Sequence, residues 1–412
     1  MSHCPEKVEL LAPAGNPEKL EIAIHYGADA VYLADRRFSL RNAADNFTIE
    51  ELKAAADLTR KHGVRMYVAC NIYPRTVEAE ALADYFKTLS AIGPDGIIIA
   101  DPGVMKLART VIPHIPVHLS TQANTTSLDA VRFWERQGIS RVNMARELSL
   151  SEIREVAART SVRLETFVHG AMCMAYSGRC LLSAFLSGRD SNRGLCTQPC
   201  RWQYHLTEET RPGAWMPVLE DDRGTYIFNA RDLCMIEHID KLIHAGVAAL
   251  KIEGRMKSIH YLASTVKVYR EAIDAYYENP EVYGVQDHWL DQLAAVNNRG
   301  YCTGFYFGAA DGQAMNYTDT PPGPEYRFLA KILQARPSGQ VLAAIKNKIR
   351  ADETVEVVTR KGPPRTDTVL AIFDAAGRQI SEAMPNSTAT LLFSGVYGFN
   401  DLVRRRENPP EP

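Results

Sequence analysis

The chain is 412 residues long, with 46% hydrophobic and 23% charged residues, a composition that excludes a mainly disordered chain and suits one large domain or two to three ordinary ones. The formal net charge of −2 excludes a histone-like polycation but leaves nucleic-acid binding open, because charge can segregate along a chain. No run reaches the roughly 18–20 apolar residues of a membrane span, and the first seven residues carry no apolar stretch behind a basic start, so a cytoplasmic protein with no membrane partner is expected.

Taken in order, residues 8–12 (VELLA) read as a strand and 17–26 as a helix, with Asn16 as N-cap and Gly27 as its stop. The rhythm repeats: strand 30–34, helix 49–61, strand 65–71, helix 78–92, then strands at 96–100, 117–120, 141–145 and 162–169. After an interruption, 249–253 (ALKIE) supplies an eighth strand, followed by a long helix over 258–278. Mostly apolar strands alternating with helices imply a parallel sheet. Eight such units predict an α/β fold, a (β/α)8 TIM-like barrel over residues 1–317 with a Cys-rich insertion at about 170–235. The turn after the first strand, Leu11-Ala12-Pro13-Ala14-Gly15-Asn16, is not the Gly-x-Gly-x-x-Gly of a dinucleotide site. Residues 318–325 form a Pro-rich linker. Beyond it, runs at 327–335, 341–346, 354–359, 368–373 and 388–392 read as a small C-terminal all-β barrel domain over 326–412. That segment holds 13 Lys+Arg and 9 Asp+Glu and so carries +4, while the remainder carries −6. Arg404-Arg405-Arg406 near its end read equally well as a solvated tail or as phosphate contacts, together with Lys346, Lys348, Arg350, Arg360 and Lys361.

Cys173, Cys180, Cys196, Cys200 and Cys234 crowd into the insertion. In a cytoplasmic chain this points to metal or redox chemistry rather than disulfides. No Cys-x2-Cys pair occurs, so the spacing is not that of a zinc finger. An iron–sulfur cluster needs four thiolates and tolerates irregular spacing, and Gly170, Gly178, Gly188 and Gly194 would let backbone N–H groups approach its sulfides. Buried structural cysteines and a zinc site remain open on spacing alone.

The stretch 165–183 (ETFVHGAMCMAYSGRCLLS) resembles the signature of the collagenase-like peptidase family. The stretches 187–202 (SGRDSNRGLCTQPCRW), 118–124 (HLSTQAN) and 251–255 (KIEGR) are similar to its tRNA-hydroxylation branch. The resemblance spans the whole chain. It implies oxygen-independent, prephenate-dependent hydroxylation of tRNA, giving 5-hydroxyuridine at the wobble position, on a [4Fe–4S] cluster. Cys173, Cys180, Cys196 and Cys234 match one ligand pattern of the family's ubiquinone-pathway members, and Cys200 matches an alternative fourth ligand. Ribosomal RNA cytidine hydroxylation, a collagenase-like peptidase and a noncatalytic iron–sulfur RNA scaffold are the competing functions. A protein partner or electron donor is left unspecified.

Other candidates come from the residues themselves. Glu165 and His169 stand at an even separation on one strand, which puts both on one face, aimed into the barrel mouth for acid–base work. His118, Ser120 and Gln122 alternate at another strand end, as do Lys251, Glu253 and Arg255. Polar residues there are costly unless paired or used. Glu253 and Arg255 join the catalytic candidates, and His118, Ser120, Gln122 and Lys251 the substrate-binding ones. Arg189, Arg193 and Arg201 lie among the cysteines, where a dicarboxylate or RNA phosphates would want bidentate guanidinium. Trp202, Tyr204, Tyr226 and Phe228 offer faces for base stacking or for ordinary packing. Neither His-Glu-x-x-His nor Gly-x-Ser-x-Gly occurs, which leaves a peptidase only a Ser177 or Ser183 pairing with His169. Arg299-Gly300-Tyr301 with Gly304-Phe305 read as a join to the second domain.

Overall fold

A computed structural model describes residues 7–39, 45–172, 176–178, 180–191, 195–201, 205–206, 216–217, 231–308, 326–336 and 339–407. Most of its helices begin at a capping side chain. Asn16 caps α1 (Pro17–His25), which follows β1 (Glu9–Pro13) and leads to β2 (Ala30–Leu33). Thr48 and Glu51 close a capping box on α2 (Ile49–His62), and Gly63 ends it in the left-handed region at φ +66°, so the chain can turn into β3 (Arg65–Ala69). The helix α3 (Ala79–Ile92) ends the same way on Gly93 before β4 (Gly96–Ile99). Then follow α4 (Pro102–Val111), β5 (Val117–Leu119), α5 (Leu128–Arg136), β6 (Arg141–Asn143), α6 (Leu150–Ala157) and β7 (Arg163–Ala171).

The insertion contributes α7 (Leu182–Ser187) and β8 (Asp232–Cys234), neither expected from the sequence. After α8 (Ile239–His244), β9 (Ala249–Ile252) closes the barrel by pairing in parallel with both β1 and β7. The expected eight-stranded parallel barrel therefore forms. β8 stands outside it, antiparallel to the end of β7, with Cys234 opposite His169. The long α9 (Ile259–Glu278) and α10 (Asp287–Ala294) lead to β10 (Tyr301–Cys302), which pairs with β8. The 299–306 segment thus straps the insertion to the barrel: Arg299 ion-pairs with Asp232, and the Tyr306 hydroxyl donates to the Phe167 carbonyl. The linker at 318–325 lies outside the described residues.

Residues 326–407 build an antiparallel half-barrel whose sheet begins with β11 (Tyr326–Ala335) and β12 (Gln340–Ile345) and ends with Leu402–Arg406 between β11 and Thr354–Val358. Arg404–Arg406 are therefore a central strand and not a solvated tail. Cross-strand register sets Arg404 opposite Glu356, and their side chains meet at 2.9 Å. Arg405 pairs with Glu353, Lys348 with Glu382 at 2.6 Å, Arg350 with the same carboxylate at 3.8 Å, and Lys346 with Glu18 at 3.7 Å. Most of the cations expected to face phosphates are spent on neighbouring carboxylates, and Arg360 and Lys361 stay exposed. The half-barrel packs on the outside of the barrel against α1 and α9. The Tyr26 hydroxyl donates to the Val358 carbonyl at 2.8 Å, and His260 stacks on Phe328 at 5.8 Å.

Two kinds of core hold the barrel. Apolar side chains from strands and helices fill the layer between them, while Leu11, Tyr32, Tyr67, Ala69 and Ile98 form a separate cluster inside the strand ring. Through that interior runs a ladder of charge. Arg65 and Arg141 bond Glu9 at 2.7 and 2.5 Å, Arg141 reaches Glu165 at 3.4 Å, and Lys251 bonds Glu165 at 2.7 Å. Glu9, Arg141, Glu165 and Lys251 are all buried. Removing one member of such a set strands its partners as uncompensated buried charge. Glu9→Ala should therefore lower unfolding free energy by about 3–5 kcal/mol, read from the urea midpoint. A loss within the scatter of an ordinary surface substitution would show that the ladder does not hold the barrel.

Candidate functional site

The candidate site lies at the C-terminal ends of the barrel strands, where a parallel barrel presents its loops. A pocket there is lined by Tyr32 from β2, Asn71 beyond β3, Ser120 and Gln122 beyond β5, Asn143 and Arg146 from β6 and the loop after it, and Lys251, Glu253 and Arg255 from β9 and its loop. Of the sequence candidates, Ser120, Gln122, Lys251, Glu253 and Arg255 come together. Ser120 does so as a cap: its hydroxyl accepts from the Gln122 N–H at 3.3 Å and starts the short turn that carries Gln122 to the rim. Arg255 is held by Ser39 and Asn46 at 2.8 and 2.9 Å, which ties the pocket wall to the loop after β2. The Tyr32 hydroxyl lies 3.4 Å from the Glu253 carboxylate.

Three candidates sit elsewhere. His118 lies deeper in the barrel, edge-on to Tyr67 at 4.6 Å, and burial followed by the Arg141 charge holds its imidazole well below the usual range. It is a neutral packing residue, not part of the pocket wall. Glu165 belongs to the buried ladder beneath the pocket. His169 does not share its face. The register of β7 against β9 slips between Phe167 and His169, a bulge that consumes Val168. Phe167 therefore keeps the inward direction and lines the pocket, while His169 turns outward beside Ile252 among Tyr261, Tyr269 and Tyr301. Burial pushes its pKa down to about 3, so it is a neutral ring, not an acid–base group of the mouth. Ser177 bonds Glu147 and Thr121, Ser183 bonds Thr197, and neither serine bonds His169.

The cysteine loop reaches the same end of the barrel. The Ser177 N–H donates to Glu147 at 2.9 Å, and at Gly178, with φ +78°, a Cβ would lie 2.2 Å from the Gln122 carbonyl, so only glycine admits this approach. Cys180, Cys196 and Cys200 are half-buried, and Cys196 Sγ accepts from the Gln198 N–H at 3.4 Å. Cys234 stands on β8, where burial raises its thiol to about 11, a value that leaves it protonated unless a cation lies beside it. The donor set has the chemistry of an iron–sulfur site, but no three His, Cys, Asp or Glu side chains converge on a metal-holding group among the described residues. Cys173 and Arg193 lie outside those residues, as do Trp202, Tyr204, Tyr226 and Phe228 and the side chain of Arg201; Arg189 is exposed.

Tyr32, Asn71, Asn143, Arg146 and Glu147 were not singled out from the sequence. A signal is present for Asn71, Arg146 and Glu147, which stand at or just beyond the end of an expected strand, whereas Tyr32 and Asn143 lie inside one. Among the described residues no helix is long and apolar enough to cross a membrane.

A closed parallel barrel with a polar mouth and a cysteine-bearing insertion defines the class. The chain belongs to Peptidase family U32: its model matches residues 15–316, and that of the family's C-terminal domain matches 324–404. Among curated relatives, "tRNA hydroxylation protein P1" of Bacillus subtilis (strain 168) is 41% identical over 92% of this chain and 90% of its own. "tRNA hydroxylation protein P" of Escherichia coli (strain K12) is 36% identical over 86% and 87%. "Collagenase" of Porphyromonas gingivalis (strain ATCC BAA-308 / W83) is 35% identical over 74% and 75%.

Proposed function

We propose that this protein is a tRNA-hydroxylating enzyme, acting at the barrel mouth on an unpaired uridine of the wobble position without molecular oxygen. The observation that carries the reading is near-full-length similarity, on both chains, to relatives named for tRNA hydroxylation. The pocket suits it chemically. Arg146, Lys251 and Arg255 stand against one carboxylate, Glu253, giving an excess of positive charge for an anionic substrate. Asn71, Gln122 and Asn143 offer amides to the polar edge of a base, which must leave its stack to be reached. Glu253 is the carboxylate placed to move a proton there. Prephenate is the proposed cosubstrate, its carboxylates meeting the same cations.

A [4Fe–4S] cluster on Cys173, Cys180, Cys196 and Cys234, with Cys200 as alternative, is part of the proposal; bound there, it would supply one-electron chemistry. Its thiols would be gathered by the metal itself, because metal binding and local folding are coupled. Anaerobically purified protein should then carry iron and sulfide at about four each per chain, and Cys234→Ala should lose most of the visible absorbance while Cys70→Ala and Cys302→Ala keep it. Protein holding zinc alone would reject the cluster.

The function itself is tested by mass spectrometry of tRNA nucleosides. Cells lacking the gene should lose 5-hydroxyuridine, wild type should restore it, and Arg255→Ala should restore it only weakly. Unchanged tRNA together with a changed ribosomal RNA cytidine would move the target to the ribosome.

A further inference from the structure

We propose that Lys251 forms a covalent imine with a small carbonyl compound bearing a carboxylate, of the 2-oxo acid class. The inference deepens the reading of the barrel mouth as the reaction site and rests on that reading. The Lys251 side chain is 5% exposed, yet it lines the pocket. Its Nζ lies 4.5 Å from the Tyr32 ring and 5.5 Å from the Phe167 ring, so two aromatic faces flank the amine. One carboxylate, Glu165, touches it from below at 2.7 Å and is itself held by Arg141. A desolvated lysine with an adjacent proton acceptor is the environment in which an ammonium becomes a nucleophile. Above it, Arg146 and Arg255 line the wall, and Arg146 lies over the same Phe167 ring at 4.0 Å. Guanidinium beside a buried amine selects a ligand with a carboxylate close to a carbonyl. An amine meant only to complete the ion ladder would need no open face.

The step balances without an oxidant or reductant. The Lys251 ammonium gives one proton to Glu165, and the freed amine adds to the carbonyl carbon. One proton of the adding nitrogen passes to the former carbonyl oxygen to give the carbinolamine, and Glu165 returns its proton to the same oxygen, which leaves as water. A C=N bond replaces C=O, and the product is an iminium ion. The ligand is then fixed at the pocket floor with its carboxylate toward Arg146 and Arg255.

The test uses the full chain, pyruvate and phenylpyruvate as separate probes, sodium cyanoborohydride as the trap, and peptide mass spectrometry. A reduced adduct on Lys251 with either probe is expected. It should be lost in Lys251→Arg, which keeps a cation beside Glu165 and should unfold at an unchanged urea concentration. No adduct on Lys251 with either probe, or labelling scattered over surface lysines and equal in Lys251→Arg, would overturn the proposal. No tRNA enters the assay, so that failure leaves the nucleoside analysis untouched, and loss of the tRNA reading leaves the adduct result standing.

Discussion

The ion ladder inside the strand ring is the constraint on which the site depends. Two carboxylates, Glu9 and Glu165, are buried; Glu9 is compensated by Arg65 and Arg141 from strands that do not pair with its own, and Glu165 by Arg141 and Lys251 from the two strands that flank it. Glu9 comes from β1, Arg141 from β6, Glu165 from β7 and Lys251 from β9, so the ladder exists only when the barrel is closed. Ion pairs of this kind often add little net stability over an apolar core, because desolvation offsets their attraction. What the ladder does is positional. It fixes the height and direction of Lys251, whose end forms the floor of the mouth, and it holds the Glu165 carboxylate directly beneath that amine.

The barrel was legible in the sequence because its signal is local and repeated. Each strand is an apolar run, most helices start at a capping residue, and Gly63 and Gly93 end helices where a left-handed turn is required. The site was legible where strand ends carried polar residues in alternation, as at Lys251, Glu253 and Arg255. It failed where alternation was broken by a feature with no local signature. The bulge at Val168 turned His169 away from Glu165, and nothing in the run VRLETFVH announces it. The triple arginine failed for a related reason. A charge run reads as solvated, but the pairing of Leu402–Arg406 with Thr354–Val358 supplies carboxylates from a distant strand.

The same pairing changes how the half-barrel serves the protein. Many of its cations are paired with carboxylates of the domain itself or of α1, and Tyr26, His260 and Phe328 fasten it to the outer helices. It acts as a brace on α1 and α9. Under the proposed function, contact with the RNA falls to the mouth, lined by Arg146 and Arg255, with exposed Arg360 and Lys361 as a separate minor patch.

The most direct measurement of that claim is photo-crosslinking of tRNA carrying 4-thiouridine at the wobble position to the full chain, with the crosslinked peptides mapped by mass spectrometry. Crosslinks to the loops around Gln122, Arg146, Ser177 and Arg255 are the predicted result; crosslinks confined to residues 326–407 would contradict it.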